Sequence, residues 1–206
     1  MYSNTLTSAA ILALSATTLA QDPGQSAPFQ LKLKADGCPT YNGVYLYACH
    51  EGAAIEGLCT GNVTADVEAW NTFGLNYTTS GVPIDPKVGQ QGILTWVLEY
   101  ATGNLSSAMS LYADPATNVG IPLFEPSYGS TPVSFDDDNV MNIPSYLDDT
   151  VEPPAARETT IGLRRWYVCQ NYYSGYSYVK SLSWVYGEGE PQNPSCEKVD
   201  VVRVFL

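Results

Sequence analysis

From Pro28 to Ala35 the chain alternates, setting Phe29, Leu31 and Leu33 against Gln30, Lys32 and Lys34. A period of two marks a strand with one wet face. Gly43 to Cys49 (GVYLYAC) reads as a second strand, with Asp36-Gly37 and Asn42-Gly43 as turn residues around the segment between. Ala53 to Leu58 fits a short strand or a helical turn, and Phe73 to Thr79 alternates Phe73, Leu75 and Tyr77. Gly92 to Tyr100 (GILTWVLEY) is rich in β-branched and aromatic residues and predicts a central strand. The Gly103-Asn104 turn leads into Ser107 to Tyr112, so 92–112 reads as a hairpin. Asn118 to Phe124 and Thr131 to Phe135 are shorter runs punctuated by proline, and 136–154 reads as an acidic, turn-rich connection. Leu163 to Gln170, Tyr176 to Val185 and Lys198 to Phe205 predict three closing strands.

The only helix candidates, Asp66 to Trp70 and Ala101 to Met109, are too short to stand alone. No repeat period argues for a solenoid. About ten short strands with turn signals between them predict an all-β, single-domain antiparallel β-sandwich (jelly-roll-like) or barrel with long turn-rich connections, over 28–206. Residues 21–27 are polar and read as a flexible leader. Residues 1–20 read as a signal peptide: Ala9 to Ala16 is apolar, and Thr18 and Ala20 place small residues before a cleavage site at Gln21. No later run is long and apolar enough to span a bilayer, and the C-terminus carries no lipid-anchor pattern. The expectation is a secreted protein, extracellular or in the cell wall.

Charge and cysteine usage sharpen that picture. The net charge of -12 repels nucleic acid and anionic membranes, so neither is an expected partner. Five cysteines in an exported chain imply disulfides and leave one over. Cys169 with Cys196 and Cys49 with Cys59 are the favoured pairs, which makes Cys38 the free thiol or the link in a dimer of an otherwise monomeric protein. Pairing of Cys38 with Cys49 or with Cys59 stays open at this level. Asn62, Asn76 and Asn104 each begin an Asn-x-Ser/Thr triplet and mark sites for N-linked glycans.

Candidate chemistry is sparse. His50 is the lone histidine, so a histidine metal cluster is excluded within one chain. No nucleophile elbow, phosphate loop or dinucleotide fingerprint occurs. His50 and Glu99 are the catalytic candidates, Glu99 because it follows the apolar run of its strand. A carboxylate pair would be the requirement for glycoside hydrolysis. Asp136, Asp137 and Asp138 crowd hard oxygen ligands into one turn, as calcium requires, but lack the ordered loop of a known calcium motif. No other cofactor is implied. Trp166, Tyr172, Tyr173, Tyr176 and Tyr178 form an aromatic cluster in a Ser/Gly-rich stretch (NYYSGYSY follows Gln170), suited to stacking on a sugar or a protein.

Two segments carry a family resemblance. One is Ala48 to Cys59 (ACHEGAAIEGLC); the other runs from Arg164 to Gln170 (RRWYVCQ) through Trp184, Gly187 to Pro191, Asn193 to Cys196 and Val199 to Val202. Both resemble an uncharacterised family of small secreted proteins from ascomycete fungi, with a domain of unknown function over most of the mature chain. Some similar proteins are labelled IgE-binding or cell-wall-associated. The resemblance implies fungal secretion and a single domain, and transfers no catalytic residue. The reading it leaves is a non-catalytic glycan-binding protein, with cell-wall polysaccharide as partner. Its rivals are a carbohydrate-active hydrolase or lyase, and an effector or surface antigen that binds an extracellular protein.

Overall fold

The computed structural model describes residues 22–61, 65–79, 84–126, 129–173 and 175–206, with the backbone alone at 22 and 176–179. The signal-peptide reading of 1–20, and Asn62, fall outside these residues. The described residues form β1 (Asp22–Gln25), β2 (Phe29–Lys34), β3 (Leu46–Gly52), β4 (Ile55–Thr60), β5 (Phe73–Thr79), β6 (Gly92–Tyr100), β7 (Gly103–Tyr112) and β8 (Val119–Glu125). The chain continues through β9 (Pro132–Phe135), β10 (Met141–Asp148), β11 (Ala155–Leu163), β12 (Trp166–Tyr173), β13 (Tyr176–Val185), β14 (Glu197–Lys198) and β15 (Asp200–Phe205). The fold is all-β and antiparallel, one sheet curled into a half-barrel. One 3-10 turn, Ala69–Asn71, interrupts the described strands.

The long path through the sheet runs β11-β10-β9-β6-β7-β8-β4-β13-β12-β14. β5 pairs with β1, β2 and β6, and β2 pairs with β15 over its whole length. Alternation explains which face goes in. Phe29, Leu31 and Leu33 of β2 join Leu46, Leu58, Phe73, Leu94, Met109, Phe124, Trp166 and Leu182 in one core. Curling brings these faces together and removes their apolar area from water, the main favourable term in folding. β8 is buried on both faces: Phe124 joins that core, while Val119 packs with Cys169 and Val185 in a second, smaller cluster on the other side.

Three local readings are corrected. The expected leader is partly a strand, because Asp22–Gln25 completes the edge of β5 with backbone pairing that needs no apolar side chain. The acidic connection contains β10, which forms an antiparallel hairpin with β11. The helix candidate at 101–109 is instead the turn and first part of β7, held by β6 and β8.

Candidate functional site

The β12–β13 hairpin carries the tyrosines. The register of the hairpin shifts between Asn171 and Tyr172. On β7, Ser110 and Tyr112 point away from the main core, because their partners Leu123 and Ile121 lie on the opposite face of β8 from Phe124. The rings of Tyr112 and Tyr173 meet edge to face, centroids 5.1 Å apart and planes at 77°. That is a favourable arrangement of ring quadrupoles. Between β7 and β12 lies a cleft of about 570 Å³. Val119 and Ile121 give it an apolar floor, and Tyr112, Tyr172 and Tyr173 supply aromatic walls. Asp114, Thr117, Gln170 and Asn193 place hydrogen-bonding groups at its rim.

The surroundings hold this cleft in shape. Asn171 is buried beneath it and donates to Ser181 Oγ and Ser183 Oγ, each at 2.8 Å. The loop bearing Asn193 is tied to β12 three ways. Asn193 Nδ2 donates to the Gln170 carbonyl at 3.0 Å, Gln170 N donates to Ser195 Oγ at 2.9 Å, and Cys169 is bonded to Cys196. Asn118 also fixes the far end of that loop, donating to the Glu190 carbonyl and accepting from Gln192 N. The side chains are therefore positioned before any ligand arrives, which lowers the ordering cost of binding.

The charges of Glu125 and Glu51 reach Tyr173. Glu51 and Glu56, on the β3–β4 hairpin, are both buried. Gly57 makes room for Glu51: a Cβ there would sit 3.3 Å from both Glu51 Oε1 and Cys49 Sγ. His50 Nδ1 lies 3.4 Å from Glu56 Oε1. Burial raises the pKa of Glu51, the neighbouring charge of Glu56 raises it further, and His50 opposes both. Burial likewise raises Glu56, opposed by its hydrogen bond to His50. Glu125 accepts from Ser110 Oγ at 3.3 Å. The Tyr173 hydroxyl is pushed up by burial and by the charges of Glu125, Tyr112 and Glu51, so hydroxyl and carboxylates lie in one electrostatic neighbourhood.

The expected site residues divide. Tyr172 and Tyr173 line the cleft, Tyr172 being 66% exposed. Tyr176 and Tyr178 lie in β13, with side chains outside the description. Trp166 leaves the group altogether. It is fully buried, stacks edge to face on Trp184 and donates its indole N–H to the Met141 carbonyl at 3.0 Å, so it cannot meet a ligand. Glu99 lies opposite Asn104 and lines a different depression with Thr95 and Val97. His50, the other catalytic candidate, pairs with Glu56. Cys49 pairs with Cys59 and Cys169 with Cys196, leaving Cys38 free and half-buried.

The Asp136 turn is built as a structural device. The carboxyl oxygens of Asp136, Asp137 and Asp138 lie within 4.8 Å of one another. Yet Asp136 is buried, one oxygen accepts from Asp138 N and Val140 N, and the other is ion-paired with Arg164. A calcium ion would have to displace a guanidinium from its best ligand, against the charge logic of such a site. Asp137 and Asp138 are exposed.

Tyr112, Asp114, Glu51, Glu56 and Glu125 were missed. The outward position of Tyr112 was legible in the period of two that sets it on the face of Ser110 and opposite Met109. Nothing local distinguishes the glutamates, since their burial comes from strands distant in sequence. A family model described as Domain of unknown function (DUF7907) matches residues 26–205. No curated protein and no solved structure gave a significant match.

Proposed function

We propose that this chain, which belongs to the family described as Domain of unknown function (DUF7907), is a secreted protein of fungal origin that binds a glycan without cleaving it. One observation carries the reading: the Tyr112, Tyr172 and Tyr173 cleft with Asp114, Gln170 and Asn193 at its rim. Sugars have an apolar C–H face and a ring of hydroxyls. A concave site with aromatic walls, an apolar floor and a few fixed polar groups matches both. Two disulfides suit an oxidising compartment, and among the described residues no helix is long and apolar enough to cross a membrane. Cell-wall polysaccharide is the partner in this reading.

The test is retention on insoluble chitin, β-glucan, mannan and cellulose, with the supernatant assayed for released sugar. Saturable retention without release supports a binding module. Retention on none of them overturns it.

A second reading rests on Glu51 and Glu56. Both are buried carboxyls raised above the ordinary glutamate range, as a general acid requires, and the charge of Glu51 reaches Tyr173 at the cleft. Released soluble sugar, lost in Glu51→Gln and Glu56→Gln, would establish it.

A further inference from the structure

A second depression, of about 860 Å³, opens beside Asn76 where β1, β5 and β6 meet. Among the described residues no charged side chain lines it, in a chain of net charge -12. Its polar groups are neutral: Gln25, Gln90 and Gln91, with Thr78. Ile93 and Pro132 give it apolar surface. Asn76 and Thr78, the first and third residues of a glycosylation triplet, are both exposed on β5.

The amides are oriented. Gln25 Nε2 donates to Asn76 Oδ1 at 3.0 Å, which leaves the Asn76 amide nitrogen, the atom a glycan is joined to, turned from that bond. Gln90 Nε2 donates to the Gln91 carbonyl at 2.9 Å. Gln25 and Gln90 thus spend an N–H on the protein and keep an amide oxygen to accept from a hydroxyl or an acetamido N–H. The Tyr77 ring lies across Gly24 on the other face of β5, packed against the main core, so the Asn76 face of this depression is lined without it.

We infer that Asn76 is N-glycosylated and that this depression seats the first N-acetylglucosamine of its own glycan. The inference rests on the export reading. The acetyl methyl and the sugar's C–H face lie on Ile93 and Pro132, and the glutamine oxygens take its donors. Asn104 lines neither this depression nor the one bearing Glu99, and it stands exposed at a hairpin end.

The test uses the full chain, expressed through its own leader in a secreting yeast and, unglycosylated, in bacteria. Glycopeptide mapping reads occupancy, and thermal melting reads the seat after trimming to one sugar per site. Occupied Asn76, with Asn76→Gln melting about 2–4 °C below trimmed wild type and Asn104→Gln unchanged, supports the inference. The bacterial wild type and Asn76→Gln should then melt alike, which isolates the sugar from the side chain. A secreted protein with Asn76 empty, or with Asn76→Gln and Asn104→Gln equally affected, overturns the seat and leaves export standing. A protein kept inside the cell without glycan overturns both.

Discussion

Tyr112 and Tyr173, on strands β7 and β12, meet edge to face at 5.1 Å and close one end of the aromatic cleft. Each ring holds the other, so each substitution should also loosen its partner. Tyr173→Ala and Tyr112→Ala should each weaken polysaccharide retention by at least about 1 kcal/mol, roughly fivefold. The double variant should lose less than the sum. Binding isotherms for the four proteins would check this; full additivity would mean the two rings act separately.

Trp166 should behave in the opposite way. Removing a fully buried indole leaves a cavity and orphans the Met141 carbonyl. Trp166→Ala should cost about 3–5 kcal/mol of stability. Trp166→Phe should cost less and leave retention of the folded protein unchanged. Chemical denaturation beside a pull-down separates the two effects, and lost retention by a folded Trp166→Phe would return Trp166 to the site.

Glu51 and Glu56 set a direction for pH. Burial raises both carboxyls above the ordinary glutamate range in the folded chain. The folded state then binds more protons than the unfolded state across that window, so stability falls as pH rises. The contribution is complete below the unfolded value and lost as pH climbs through the folded one. Melting temperature should decline from mildly acidic to neutral pH, and Glu51→Gln should flatten the decline. A wild-type melt that rises over this range would contradict the assignment.

Asp136 should matter as a turn-former. Asn139, in the left-handed region at φ 60°, donates its backbone N–H to the Asp136 carbonyl, while the Asp136 side chain caps two further amides. Asp136→Ala strands those donors and should cost about 2–4 kcal/mol. Added calcium and added chelator should give the same melt, since a ligand that binds only the folded state would raise it.

Reduction should loosen the cleft. Cys169 and Cys196 close a loop of 27 residues, for which the chain-entropy account expects about 3.5 kcal/mol. Cys169→Ser with Cys196→Ser should lower the melt and also weaken retention, because the same bond anchors the loop bearing Asn193. Unchanged retention by the folded variant would show that the hydrogen bonds alone hold that loop.

Strand identity was legible in the chain wherever one face meets the core. Gly92–Tyr100 and Tyr176–Val185 end where their residues said they would, and β2 buries Phe29, Leu31 and Leu33 as their alternation requires. A period of two is a local property, written in adjacent residues. β1 and β10 left weaker traces: β1 pairs through its backbone, and the outer part of β10 carries exposed Tyr146 and Leu147. The preferred cysteine pairs were also readable, but choosing among the alternatives required the β3–β4 register, which brings Cys49 beside Cys59. Tyr172 and Tyr173 were legible as a cluster, but the cleft they line with Tyr112 and Asn193 is made by the tertiary structure. Trp166 and Tyr167 are neighbours in sequence, yet strand pleating sends the first into the core and the second toward the Cys169–Cys196 cluster. Glu51 and Tyr173 share an electrostatic neighbourhood only because the curled sheet brings their strands together. Alternation says that a side chain points to one face of its strand; what stands on that face is decided by strands far away in the chain.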